Sequence, residues 1–192
     1  MPVLFMGSRL LALPIPKKKV AGILQGAFLS LLFAGLTGLL AKVRFYLPFT
    51  PVPVTGQVFA VLLAGLLLGR LYGTLSQIFY IGFGLLGISW FSVFPLIPTG
   101  GYLLGFIAAP YAVGWLLDRW ERISFTTVMA ALVSGIALIH LFGLVFFAAA
   151  TGTGLAASFR LAVLPFIPFD LSKAIFVALL VLSWKKMRVQ NS

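Results

Sequence analysis

The chain has no cysteine, one histidine and three acidic residues among its 192 positions. Without cysteine there are no disulfides, no thiolate nucleophiles and no Cys-based metal sites. One histidine and three carboxylates leave little from which to assemble a metal centre or a hydrolytic acid–base pair. Charged residues make up only 9% of the chain, too few to solvate the surface of a soluble domain. Nucleotide-binding signatures are also missing. There is no G-x-x-x-x-G-K-[ST] run and no G-x-G-x-x-G after a strand, and Gly152-Thr153-Gly154 is too short a signal to stand in for either. ATP hydrolysis by this chain is therefore not expected.

What is present is apolar. Hydrophobic residues form 61% of the chain and mean hydropathy is +1.14, so most of the chain belongs in lipid. A net charge of +11 would point to nucleic acid in a soluble protein. Here Lys and Arg cluster in short segments between apolar spans, where headgroups and membrane orientation account for them and no nucleic-acid partner is expected. Near the N-terminus, apolar Leu10–Leu13 is followed by Pro14, Pro16 and the basic run Lys17–Lys19. No small-x-small site leads into a hydrophilic mature domain, so this reads as a short cytosolic segment entering an uncleaved first helix.

About 20 apolar residues cross a bilayer as a helix. On that measure the chain is all-α, a single membrane domain over 1–192. Six spans are expected, at approximately 20–40, 55–71, 74–88, 101–117, 127–150 and 161–184. The second and third are so closely connected that they must form an antiparallel hairpin. With both termini in the cytoplasm, the inner side collects Arg9, Lys17, Lys18, Lys19, Arg70, Arg119, Arg122, Lys185, Lys186 and Arg188. The outer segments then hold only Lys42, Arg44 and Arg160, the asymmetry of the positive-inside rule. Tyr46, Trp90, Trp115, Trp120 and Trp184 fall near the proposed interfaces. Two outer segments are rich in helix breakers: Arg44–Thr55 with Pro48, Pro51 and Pro53, and Ser89–Gly101 with Pro95, Pro98 and Gly100-Gly101. They read either as caps over an outward pocket or as plain short loops.

Two further patterns stand out. In the first span Gly22, Gly26, Ser30, Ala34 and Gly38 recur every four residues, a small-residue ladder that permits close helix approach. It serves either packing within the chain or docking against a separate membrane subunit. In the sixth span Asp170 and Lys173 lie on one helix face at membrane depth, where ionisable groups cost roughly 2.5–3.5 kcal/mol each. This pair reads as a structural ion pair, as an ion relay of a small secondary transporter, or as the anchor of a polar ligand. Pro165 and Pro168 open the helix just before Asp170, which favours the ligand. His140, among apolar residues with no His or carboxylate near it in sequence, reads as a helix-packing residue more readily than as a ligand or base. The functional alternatives are a self-sufficient ion-coupled carrier of a small vitamin-like solute, a membrane scaffold or a small intramembrane enzyme. A carrier of this length with no internal duplication would need a dimer.

Several segments together resemble the BioY family, the biotin-specific substrate-binding subunits of energy-coupling-factor transporters. They are Phe49-Thr50-Pro51-Val52-Pro53-Val54-Thr55-Gly56-Gln57, Leu63-Ala64-Gly65-Leu66-Leu67-Leu68-Gly69, Gly73-Thr74-Leu75-Ser76, Pro98-Thr99-Gly100-Gly101-Tyr102-Leu103-Leu104-Gly105-Phe106 and Pro165-Phe166-Ile167-Pro168-Phe169-Asp170-Leu171-Ser172-Lys173. The resemblance implies a six-helix protein in the plasma membrane of a prokaryote that captures biotin from outside under the loop between helices one and two. Partners are implied as well: a membrane coupling subunit and two cytosolic ATPases. Biotin is cargo, and no cofactor or metal is implied. Substrate-binding residues implied in this way are Asp170, Lys173, Tyr102, Phe91, Thr99, Gly100 and Gly101. Pro51, Val52, Pro53 and Thr55 would form the cap, and the ladder from Gly22 to Gly38 would meet the coupling subunit. Trp90-Phe91-Ser92-Val93-Phe94 departs from the family's outer loop, and the chain has no asparagine before Asn191. A ureido contact from this loop would fall to Ser89, Ser92, Thr99 or backbone.

Overall fold

The computed structural model describes residues 20–88 and 96–190. The expected N-terminal cytosolic segment, the outer segment around Trp90 and the candidate ring contact Phe91 lie outside the described residues. The described chain is an all-α bundle whose elements follow the apolar spans. They are α1 (Val20–Lys42), a hairpin of β1 (Arg44–Tyr46) and β2 (Pro53–Thr55), α2 (Gln57–Leu85), α3 (Leu96–Arg119), α4 (Phe125–Thr151), the short α5 (Leu155–Ala162) and α6 (Ile167–Gln190). Among the described residues, five helices are long and apolar enough to cross a membrane.

One of the five, α2, is not straight. Gly69 breaks it with φ 72° and ψ −174°, a conformation open essentially to glycine alone. The chain then reverses: the Gln57 side-chain amide donates to the Tyr80 hydroxyl at 2.8 Å. In a straight helix those two residues would be about 34 Å apart at 1.5 Å per residue. The bundle therefore has five to six membrane-spanning helices, according to whether the limbs 57–68 and 70–85 are counted singly. Helix α3 crosses directly over this reversal. A Cβ on Gly114 would collide with the backbone nitrogen of Arg70, so glycine there lets the two backbones touch.

In lipid the apolar side chains have no preference for one another, and association rests on close packing and cross-helix hydrogen bonds. Helix α3 packs between α2 and α4, α1 packs on α2, and α6 touches both α2 and α4. The ladder of α1 is part of this packing. Gly22, Gly26, Ser30, Ala34 and Gly38 are all buried. A Cβ on Gly26 would enter the Tyr72 ring, and the Ser30 hydroxyl contacts the carbonyls of both Gly26 and Tyr72 at 2.9 Å. The reading of these five residues as a surface for a coupling subunit is thereby corrected. Their smallness lets the second limb of α2 seat on α1, and the bulky side chains Ile23, Leu24, Phe28 and Leu32 face outward instead.

The sixth span also starts later than the expected 161. Residues 163–166 form a turn between α5 and α6, in which the Phe166 amide donates to the Val163 carbonyl at 2.9 Å. Pro165 lies within this turn. Pro168 then occupies the first turn of α6, where a helix has no intrahelical use for an N–H. Asp170 follows in that same first turn.

Burial of the ladder can be checked by Ala34→Leu. Overpacking a wholly buried position should destabilise the fold by about 1–3 kcal/mol, read as a lower unfolding midpoint in detergent. An unchanged midpoint would return the ladder to the lipid-facing side.

Candidate functional site

The β-hairpin is the starting point. Its strands pair Arg44 with Thr55, Phe45 with Val54 and Tyr46 with Pro53. Side chains of directly opposed residues share a face, and neighbours along a strand alternate. Arg44, Tyr46, Pro53 and Thr55 therefore present one face, and all four line a cavity beneath the hairpin. Phe45, on the other face, meets Phe169 edge to face with ring centroids 5.5 Å apart. Between the strands the chain turns with Thr50 N–H on the Leu47 carbonyl at 3.3 Å, and the Val52 N–H donates to the Thr50 hydroxyl at 3.2 Å. The prolines thus shape a stiff flap, pinned to the start of α6.

Beneath it lies a cavity of about 900 Å³, its open mouth included. That is within the range of small-molecule sites. Its walls come from every major helix: Ala41 of α1, Gln57 and Val58 of α2, Thr99, Tyr102, Leu103 and Phe106 of α3, Ile139 and His140 of α4, and Asp170 and Lys173 of α6. Phe166, from the turn before α6, completes the aromatic side. Most of the lining is apolar, and its polar groups are few and placed.

The charged centre is compact. Lys173 Nζ donates to Asp170 Oδ1 at 2.7 Å, and His140 Nε2 lies 3.0 Å from Asp170 Oδ2. The His140 contact is one of proximity, since neither ring nitrogen completes a hydrogen bond. Asp170 sits in the first turn of α6, where the helix dipole favours a carboxylate. The Tyr102 ring stands edge-on to His140 at 6.3 Å, and its hydroxyl donates to the Ala162 carbonyl. Gln57 is held by Tyr80 from behind. With Arg44 at the rim, the cavity carries two cations against one carboxylate when the imidazole is neutral. It can therefore accept N–H donors at Asp170, donate to a carbonyl or carboxylate from Lys173, and bury an apolar ring between Tyr102, Phe106 and Phe166.

Of the residues named from sequence, Asp170, Lys173, Tyr102, Thr99, Pro51, Val52, Pro53 and Thr55 line this cavity. Gly100 and Gly101 do not. A Cβ on Gly101 would collide with the Phe142 carbonyl, and one on Gly100 would crowd the Phe146 ring at 2.9 Å. They are where α3 and α4 touch. Sequence reasoning missed His140, Arg44, Tyr46 and Gln57. Strand alternation would have found Arg44 and Tyr46 once the hairpin was recognised. Nothing local to His140 announces a partner thirty residues away.

Comparison with known proteins bears on this arrangement directly. The family model described as the BioY family matches residues 16–190. This chain belongs to the BioY family. Its relatives include the "Biotin transporter BioY" of Thermotoga maritima, 36% identical over 151 residues that cover 76% of this chain and 88% of the relative. The "Probable biotin transporter BioY" of Pyrococcus horikoshii is 40% identical over 149 residues, covering 74% and 85%. Among solved structures, the crystal structure described as the S-component for biotin from an ECF-type ABC transporter superposes with a TM-score of 0.76. It covers 88% of this chain and 94% of that one at 23% identity, a likeness in fold. Like the rest of the BioY family, the chain is a multi-pass membrane transport protein and not an enzyme.

Removing the ring that pins the flap tests its role. An aromatic pair contributes about 0.5–1.5 kcal/mol beyond its buried area, so Phe45→Ala should raise amide hydrogen exchange across residues 44–55 by roughly 2- to 12-fold. Unchanged exchange would mean that other contacts hold the hairpin down.

Proposed function

We propose that this chain captures biotin with high affinity at the outer face of a prokaryotic plasma membrane, as the substrate-binding subunit of an energy-coupling-factor transporter. The observation that carries this reading is the pairing of buried Asp170 with half-buried Lys173 in a flap-covered cavity of a BioY-family chain. Biotin joins an apolar bicyclic ring to a ureido group and a carboxylate. Asp170 accepts a ureido N–H, Lys173 donates to the ureido carbonyl or to the carboxylate, and the aromatic side of the cavity takes the ring. Charge-assisted bonds supply roughly 1.5–3 kcal/mol each. Nanomolar affinity requires about 12 kcal/mol, so ring burial must supply much of the remainder.

In this proposal the two limbs of α2 are separate spans, giving a six-helix bundle with both termini in the cytoplasm. Arg70 lies beside Asp118 at 3.7 Å, and with Arg119 and Arg122 it marks the end of the bundle away from the hairpin. Lys42 and Arg44 mark the hairpin end. The positive-inside rule puts the former in the cytoplasm and the flap outside. A membrane coupling subunit and two cytosolic ATPases complete the transporter, the energy source that the absent nucleotide motifs require. The outward bulky face of α1 is the surface left for a membrane partner, the small-residue ladder being covered.

Binding of labelled biotin to the purified protein in detergent tests the reading. Lys173→Ala should fold yet bind biotin at least about tenfold more weakly, the loss of one charge-assisted bond. Biotin should outcompete riboflavin, thiamine and pantothenate in the same assay. A preference for any vitamin without a ureido group would overturn the substrate assignment.

A further inference from the structure

The two partners of Asp170 differ in what they are able to do. Lys173 comes from the same helix, one turn on, and its side chain is 19% exposed to the cavity. His140 comes from α4 across the bundle, and its side chain is 8% exposed against 5% for Asp170. An ammonium on a four-carbon stem is free to swing to a new acceptor. The imidazole is not: its ring lies between Tyr102 at 6.3 Å and Phe166 at 6.5 Å.

We propose that His140 is the positioning residue of this site, holding Asp170 from the neighbouring helix so that Lys173 is released to engage the ligand. The inference rests on the biotin reading above and deepens it. A buried carboxylate stripped of its partner is strongly unfavourable. If Lys173 alone held Asp170, every bond it made to a ligand would come at the expense of that pairing. With His140 on Oδ2, Lys173 leaves Oδ1 and the carboxylate is still held, with Oδ1 now open to a ligand N–H. Binding is then an exchange of partners and not the breaking of an ion pair. The geometry leaves room for this, because the ring contacts Oδ2 at 3.0 Å without a completed hydrogen bond. Such contacts tighten when a site fills. Arg44, the other cation at the cavity, lies on the hairpin and lines its rim, whereas His140 reaches the carboxylate itself, 3.0 Å from Oδ2.

Two substitutions separate positioning from packing. His140→Leu keeps an apolar filler but removes the donor, and tethers Lys173 to Asp170. It should weaken biotin binding roughly tenfold to a hundredfold, the range of one bond to a charged group. His140→Gln carries an amide N–H to nearly the position of Nε2 and should restore affinity to within about threefold of wild type. Equal binding by wild type and His140→Leu, or a His140→Gln no better than His140→Leu, overturns the inference. Should His140→Leu fail to fold, the wild type still decides. His140 is the sole histidine, so 15N-histidine labelling gives one imidazole whose Nε2 resonance must move on adding biotin as the bond to Oδ2 closes, and a static resonance at saturation overturns the inference. Wild type that does not bind biotin at all overturns the biotin reading and takes this inference with it, an outcome distinct from intact binding without the Leu–Gln contrast.

Discussion

A carboxylate enclosed by apolar helices is the constraint around which this molecule is arranged. Asp170 is 4% exposed, and in a low-dielectric interior it must be answered by opposite charge, donors or dipoles. Three answers converge from different levels of structure. The turn at residues 163–166 starts α6 just before Asp170, which puts the carboxylate at the positive end of the helix dipole. One turn of α6 supplies Lys173. The packing of α6 against α4 brings the His140 imidazole to within 3.0 Å of Oδ2. The site is therefore not a feature added to a finished bundle. Its geometry depends on α4 and α6 being in register.

That register is set by residues that contribute almost nothing of their own. Where Gly100 and Gly101 meet Phe146 and Phe142, and where Gly105 meets the backbone of Ile139, α3 comes as near to α4 as backbone allows. Close approach here fixes how far Tyr102 reaches into the space beside His140. The same device on α1 brings Ser30 to the Tyr72 carbonyl and Thr37 to Gln77, whose amide donates to it at 3.3 Å. Polar cross-links of this kind tie helices together where the solvent offers no hydrophobic incentive to associate. Small residues hold the bundle, and the aromatic rings of Tyr102, Phe106 and Phe166 line the cavity beneath the flap.

Much of this was legible in the chain because lipid simplifies the rules. A run of about 20 apolar residues has few options, so α1, α3 and α4 fall within a few residues of their expected bounds. Asp170 and Lys173 were conspicuous for a related reason: charge is rare here, and three residues apart on a helix means one face. What was not legible depended on contacts distant in sequence. The ladder of α1 has the same small side chains whether it meets this chain or another. Only the fold-back of α2 shows that Tyr72 already occupies the place. Gly100 and Gly101 belong to a motif that also contains true cavity residues, and spacing alone does not tell a helix contact from a ligand contact. His140 looked like filler because its partner is on another helix.

The reversal at Gly69 bears on how the protein enters the membrane in the first place. The limbs on either side, 57–68 and 70–85, run to about 18 and 24 Å at 1.5 Å per residue, both below the roughly 30 Å of a hydrocarbon core. Neither is long enough to be recognised and released into lipid as an independent segment, and no hydrophilic loop separates them. They must therefore be inserted together as one unit, with Arg70 at its tip. A single long apolar stretch of some thirty residues, delivered whole and then bent, becomes the centre of the bundle. Glycine at position 69 is what lets that unit double back with no loop between its limbs.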